Sequence, residues 1–285
     1  MTDPDLKSYI DNILKFIPNS LPESSLKSAI NSFEESYYEI KDFLNFNETI
    51  LDVGCGGGFL VNYLSSLGYK VYGFDKYQYD SHTKLINFTI NNTEIVRDCS
   101  IKDYYPHDKF DLIFLHNVVE HLEDWEESLH KLNSLLKPNG KIILILPNYS
   151  FPIEPHFMIP IFFNKKITYS IFRNRIRNFE NKHKRIGLWV SLNFIKPKDI
   201  KKFYKFKNFK VCIDREYFPK FVSRKIINLN KVSVHSGNPL HRFSILLSQF
   251  LVNIKIINIW KFFPLLFHPF LKIVILRSIS HEAKE

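Results

Sequence analysis

The residues of this 285-residue chain best suited to chemistry gather in four places. The first is Asp52-Val-Gly54-Cys55-Gly56-Gly-Gly58, a glycine-rich turn after a short apolar run. Such a turn lets backbone come close to a ligand and aims free N–H groups at it. The second is a pair of acids, Asp75 and Asp98, each at the end of a further apolar run and followed by Lys76 and Cys99 respectively. The third is His116-Asn117-Val-Val-Glu120-His121, where imidazole and carboxylate groups could move a proton. The fourth is Glu154-Pro-His156, a histidine among prolines and aromatics. A lone histidine is as often a packing or capping residue as a base, so His121 and His156 carry two readings each.

Spacing separates the ligands such a glycine turn could take. A dinucleotide fingerprint beginning at Gly54 needs glycine at 59, where Phe59 stands, and one beginning at Gly56 needs it at 61, where Val61 stands. A phosphate-cradling P-loop ends in Gly-Lys-Ser/Thr, which is absent. Both phosphate-binding patterns fail. Cys55, Cys99 and Cys212 make neither a disulfide framework nor a paired zinc spacing, so no metal is expected and a reducing, cytoplasmic setting is. No charged start followed by an apolar run opens the sequence, so no signal peptide is expected.

These residues need a scaffold, and the apolar periodicity supplies one. Thr49-Ile-Leu-Asp-Val53, Lys70-Val-Tyr-Gly-Phe-Asp75, Glu94-Ile-Val-Arg97, Phe110-Asp-Leu-Ile-Phe-Leu115 and Lys141-Ile-Ile-Leu-Ile-Leu146 read as strands. Phe59 to Leu67 and Trp125 to Lys137 read as helices, the second ended by Pro138-Asn-Gly140. Strands that alternate with helices predict a parallel sheet covered on both faces. All three acids, Asp52, Asp75 and Asp98, then fall at carboxyl ends of strands, where open parallel sheets bind ligands. Before the sheet, residues 5–47 read as amphipathic helices broken at Pro18 and Pro22. After it, Lys198 to Phe206 reads as a helix, Phe209 to Phe218 as a strand, residues 219–239 as irregular, His241 to Phe263 as a mostly apolar helix and Leu271 to Leu276 as a late strand.

Asp52-x-Gly54-x-Gly56-x-Gly58 resembles the first motif of class I S-adenosylmethionine-dependent methyltransferases, and Phe110-Asp-Leu-Ile through Glu120-His121 is similar to a signature of their small-molecule subgroup, which includes ubiquinone-biosynthesis O-methyltransferases. The likeness covers about residues 48–148. It implies a Rossmann-like, doubly wound α/β sheet, mostly parallel with a late antiparallel strand. It also implies S-adenosylmethionine held by Asp52, Gly54, Cys55, Gly56, Gly58, Asp75, Lys76, Asp98, Cys99, His116 and Asn117. By the same analogy Asp75 accepts from the ribose hydroxyls, Asp98 lies near the adenine, and Glu120 and His121 open toward the transfer pocket. His156 joins His121 and Glu120 as a catalytic candidate. The Asn/Asp-Pro-Pro-aromatic motif of base-amino enzymes and the Pro-Cys nucleophile of C5-pyrimidine enzymes are both missing.

The expected organisation is a helical N-terminal cap (1–47), a cofactor-binding core (48–150), a basic lid insertion (151–196) and a C-terminal segment completing the sheet with an apolar helix (197–285). Charge divides the chain sharply: residues 1–160 hold 13 Lys and Arg against 23 Asp and Glu, whereas residues 161–285 hold 26 against 6. The second half therefore suits an anionic partner. Residues 165–185 interleave basic and apolar side chains like a membrane-surface helix, and 241–263 reads first as a helix packed against the sheet or a lid and second as a candidate for interfacial docking or a lipid-substrate tunnel. The sequence-based expectation is O-methylation of a small, hydroxylated, anionic or lipid-linked acceptor, with peripheral docking at the inner membrane face. An RNA methyltransferase using the basic half, and a non-catalytic cofactor-binding subunit, are the alternatives. Nucleic acid is the less favoured partner, for want of a recognisable RNA-binding module.

Overall fold

The structure is a computed structural model and describes residues 4–16, 23–76, 95–229, 250 and 256–277. Five short apolar runs become the predicted parallel strands: β1 (Thr49–Val53), β2 (Lys70–Asp75), β3 (Ile95–Arg97), β4 (Phe110–His116) and β5 (Leu136–Pro147). Two tiny strands, β6 (Ile153–Glu154) and β7 (Ile159–Pro160), pair antiparallel, and β8 (Phe209–Asp214) and β9 (Phe270–Arg277) complete the set. The sheet runs β3-β2-β1-β4-β5-β9-β8. It is mostly parallel with one late antiparallel strand, as expected for the Rossmann-like class. Parallel pairing of β1 with both β2 and β4 sets Asp52 beside Gly73 on one side and Phe114 on the other. All five residues of β1 are buried, which a central strand covered on both faces requires.

Contacts divide the chain into two units. The first comprises Met1–Leu144, Phe203–Lys210 and Ile275–Glu285; the second comprises Ile145–Lys202 and Val211–Val274. In the first unit α1 (Pro4–Phe16) and α2 (Glu23–Ile40) pack on α3 (Phe59–Ser66) through Tyr63, whose ring centroid lies 4.9 Å from Tyr9, 5.1 Å from Tyr37 and 5.5 Å from Phe33. The N-terminal helices thus pack on the helix that leaves the glycine turn. The next helix, α4 (Trp125–Ser134), ends three residues before the expected Lys137, because Leu136 already enters β5 and the Leu135 carbonyl accepts from Phe110 N.

The second unit carries α5 (Lys165–His183), the expected basic helix, started by Asn164, whose side chain accepts from Ile167 N. Its inner face is buried in a cluster of Phe157, Ile159, Ile176, Leu188, Trp189 and Leu192. Leu188 and Trp189 lie on α6 (Leu188–Ser191), and α7 (Pro197–Tyr204) follows at the predicted place. Three expectations are corrected. The strand read as Phe209 to Phe218 stops at Asp214, and α8 (Tyr217–Leu229) replaces part of the irregular stretch. Of the helix expected over 241–263, residues 241–249 and 251–255 lie outside the described residues, whereas Ile256–Phe262 is 3-10 rather than α-helical. Among the described residues no helix is long and apolar enough to cross a membrane.

Candidate functional site

The turn between β1 and α3 is built by hydrogen bonds to the neighbouring strand. Gly54 N and Cys55 N both donate to the Phe74 carbonyl, at 2.8 and 3.2 Å, and Gly58 N donates to the Cys55 carbonyl at 2.9 Å. Gly56 N donates to Asp75 Oδ2 at 2.8 Å, so the carboxylate at the end of β2 reaches the middle of the turn. Gly54 and Gly56 have φ of +71° and +54°, in the left-handed region that glycine enters without strain. The two differ in surroundings. A Cβ on Gly54 would stand 2.4 Å from Val118 Cγ2, whereas one on Gly56 would meet nothing within 4 Å. The backbone at Gly56 therefore faces open space beside a carboxylate, a cradle that leaves room for a ligand carrying hydroxyl donors.

Burial charges this cradle unusually. Asp52 is buried, and loss of solvation, followed by repulsion from Asp75, pushes its carboxyl up to about 8. At neutral pH it largely keeps its proton. Burial first, then Asp52 and Asp75, likewise hold the Cys55 thiol well above its ordinary range. A thiol held in its neutral form there is a weak nucleophile. Among the expected cofactor contacts, Lys76 and Asp98 are exposed, and Asp98 takes a φ of +48° as the chain turns off β3. Cys99 is buried, its N–H donating to the Asp75 carbonyl at 3.1 Å. The turn, Asp52, Asp75, Lys76, Asp98 and Cys99 thus gather at the carboxyl ends of β1 to β3, the arrangement the spacing predicts.

The end of β4 contributes His116 and Asn117. His116 Nδ1 lies 2.7 Å from Ser36 Oγ of α2, and its side chain is only 7% exposed. Burial lowers its pKa to about 4, with Glu35 Oε2 4.0 Å from Nε2. Asn117 is exposed with a φ of +55°. Glu120 and His121 follow in a 3-10 turn, Val119–His121; Glu120 is fully buried and His121 half-buried. Ser36 and Val118 were not singled out from the sequence. Ser36 is 80 positions from the imidazole it holds, and no local pattern announces such a pair.

In the second unit the Glu154-Pro-His156 segment forms a hydrogen-bonded pair. Glu154 is fully buried, its Oε2 accepts from Phe157 N at 2.7 Å, and its Oε1 lies 2.6 Å from His156 Nδ1 and 3.5 Å from the Tyr149 hydroxyl. With its Nδ1–H donating to the carboxylate, the imidazole presents Nε2 as the basic nitrogen. The sequence singles out His156, while the partner that orients it sits two residues earlier in the same motif.

The chain is similar to several known proteins. The family described as a methyltransferase domain matches residues 7–196. An uncharacterised protein of Mycobacterium tuberculosis is 36% identical over 108 residues, 38% of this chain and 37% of that one. A ubiquinone biosynthesis O-methyltransferase of Rickettsia bellii is 32% identical over 120 residues, 42% of this chain and 48% of that one. The matched stretches thus span less than half the length of these relatives. A solved plantazolicin methyltransferase in complex with SAH aligns over 97% of this chain and 92% of its own, at 16% identity and a TM-score of 0.46.

Proposed function

The chain belongs to the methyltransferase domain family, and from that premise we propose that it moves a methyl group from S-adenosylmethionine to a small hydroxylated acceptor, anionic or lipid-linked. The observation that carries the reading is the glycine turn whose Gly56 N–H is accepted by Asp75 beside the buried Asp52. The residues fit the cofactor. Asp75 Oδ1 and Oδ2 suit paired hydroxyl donors, the open backbone at Gly56 admits the ligand, and Asp52 supplies a carboxylate for a cationic tail. When bound, the cofactor supplies an electrophilic methyl group. Asp52, whose carboxyl burial holds up at about 8, would ionise beside a bound cation and would then give up its proton near neutral pH. His116, Asn117, Lys76, Asp98, Cys55 and Cys99 line the same strand ends.

Transfer to a hydroxyl needs in-line positioning and a proton acceptor. His156 is the proposed base, held by Glu154 in the tautomer that offers Nε2. His121 and Glu120 are the other residues proposed to serve the acceptor. Support for oxygen as the methylated atom comes from the rickettsial relative, named as an O-methyltransferase.

Calorimetry with S-adenosylmethionine, alongside mass spectrometry of metabolites and lipids incubated with deuteromethyl-labelled cofactor, tests the reading. Asp75→Ala removes a charged acceptor worth about 1.5–3 kcal/mol, so affinity should fall roughly 10- to 150-fold. Unchanged affinity would refute the assignment of Asp75, and absence of any labelled product would refute the transfer.

A further inference from the structure

The buried face of α2 carries a stripe of Leu26, Ile30, Phe33, Tyr37 and Ile40, three and four residues apart, and Ser36 breaks into it with only 7% of its surface exposed. Hiding a hydroxyl is unfavourable unless a partner takes up its hydrogen bond. The partner is His116 at the end of β4, whose Nδ1 lies 2.7 Å from Ser36 Oγ. The preceding residue, Glu35, brings Oε2 to 4.0 Å from Nε2 of the same ring. Two consecutive residues of one helix therefore address the two nitrogens of one imidazole. The helix does not need this contact to pack on α3, since Phe33 and Tyr37 already meet Tyr63.

The surroundings decide which nitrogen carries the proton. Burial keeps the ring neutral at pH 7, so it has one N–H to place. A lone pair at Nε2 would face the Glu35 carboxylate and be repelled by it, whereas an N–H there is attracted. Nδ1 is then the acceptor, and Ser36 Oγ–H donates to it. The ring held in this way stands at the glycine turn. Strands β1 and β4 pair Val53 with Leu115, so the residues that follow, Gly54 and His116, leave the sheet side by side. Val118, two positions further on, is the side chain that covers Gly54. All of these residues belong to the first unit.

We infer that Ser36 and Glu35 are positioning residues for the cofactor: acting through His116, they fix its Nε2–H tautomer and the direction of its ring beside the glycine turn, and so make affinity for S-adenosylmethionine depend on a helix that precedes the sheet. The inference rests on the proposed reading of the turn as the cofactor site. Neither residue has to touch the ligand. An imidazole that loses the Ser36 hydroxyl keeps a buried acceptor without its donor, and the ring relaxes toward other orientations to find one. Binding must then restore the order that the hydroxyl had already supplied, and affinity falls.

The tautomer is read on the wild-type chain, so the inference can be refuted even if a variant fails to fold. Nuclear magnetic resonance with isotope-labelled imidazole nitrogens, the His116 signals being those absent from His116→Phe, should find the proton on Nε2. Calorimetry with S-adenosylhomocysteine then measures affinity. Ser36→Ala should bind roughly three- to tenfold more weakly, the net worth of one hydrogen bond, and Ser36→Thr, which keeps the hydroxyl, should regain most of the loss. In a His116→Phe background Ser36→Ala should weaken binding no further, because the hydroxyl has already lost its partner. A contact that only stabilised the fold would lower the melting temperature of Ser36→Ala equally with and without S-adenosylhomocysteine and leave affinity unchanged, and that result overturns the inference. A proton on Nδ1 in the wild type, no recovery in Ser36→Thr, or the same loss with and without His116 also overturns it. Binding that Asp75→Ala weakens and Ser36→Ala does not overturns this inference alone and leaves the cofactor reading standing. A wild-type chain that binds no S-adenosylhomocysteine overturns both.

Discussion

Gly54→Ala tests the glycine turn at the point where its geometry is tightest. Two costs are expected and they can be separated. An alanine at φ +71° pays for the left-handed region about 1–2 kcal/mol. Its Cβ would also lie 2.4 Å from Val118 Cγ2, far inside the 3.5–4.0 Å of ordinary carbon contact. Valine has few rotamers to escape into, so crowding adds about 1–3 kcal/mol. The sum, about 2–5 kcal/mol, should lower the melting temperature by roughly 5–15 °C for a chain of this size. Val118→Ala in the same background removes the crowding and leaves the backbone cost. The double variant should therefore recover roughly half the loss in a thermal melt. Cofactor affinity by calorimetry should stay below wild type in both, because the turn remains strained where the ligand approaches. A Gly54→Ala protein that melts and binds like wild type would refute the argument. Strict additivity of the two substitutions would show that Val118 is not what the glycine accommodates.

Asp52 gives the fold a pH dependence of definite sign. Its folded carboxyl sits near 8 against an ordinary value of 3.8, so the unfolded chain ionises first and the stability from this group, complete below about pH 4, is lost as pH rises through 8. Asp52→Asn should therefore flatten the decline between pH 5 and 8 and raise the melting temperature at pH 8; an unchanged slope would place the titration elsewhere. For the proton acceptor, His156→Ala should lower turnover by roughly 100-fold at unaltered cofactor affinity. Glu154→Gln, which keeps an acceptor oxygen for Nδ1 but not its charge, should lower turnover less, and full activity in both would transfer the role to His121 or Glu120.

The parallel core is legible because β1, β2, β4 and β5 carry apolar runs that no helix period fits, and because Asp52, Asp75 and His116 stand at or next to the ends of the first three. The pattern misleads where a local rule is overridden. Residues 219–239 read as irregular, yet Pro219 stands in the first turn of α8, where no backbone N–H is missed. Asp214 looked like the interior of a longer strand, but its Oδ1 accepts from Glu216 N at 2.8 Å and turns the chain out of β8. The early end of α4 follows from Leu136 entering β5, a tertiary demand that helix propensity does not register. The same limit governs the candidate site. Gly54, Gly56 and Asp75 are legible because a turn and a strand end fix them locally. Ser36 beside His116 and Val118 over Gly54 join segments that only the folded chain brings together, so their types look ordinary in sequence. Glu154 lies between these cases. It is two residues from His156 and visible in the motif, but a Glu-Pro-His run has no meaning until burial removes water from the carboxylate and Phe157 N fixes its second oxygen. A carboxylate becomes an orienting group when its environment leaves it one direction to face, and that environment is a property of packing around the motif.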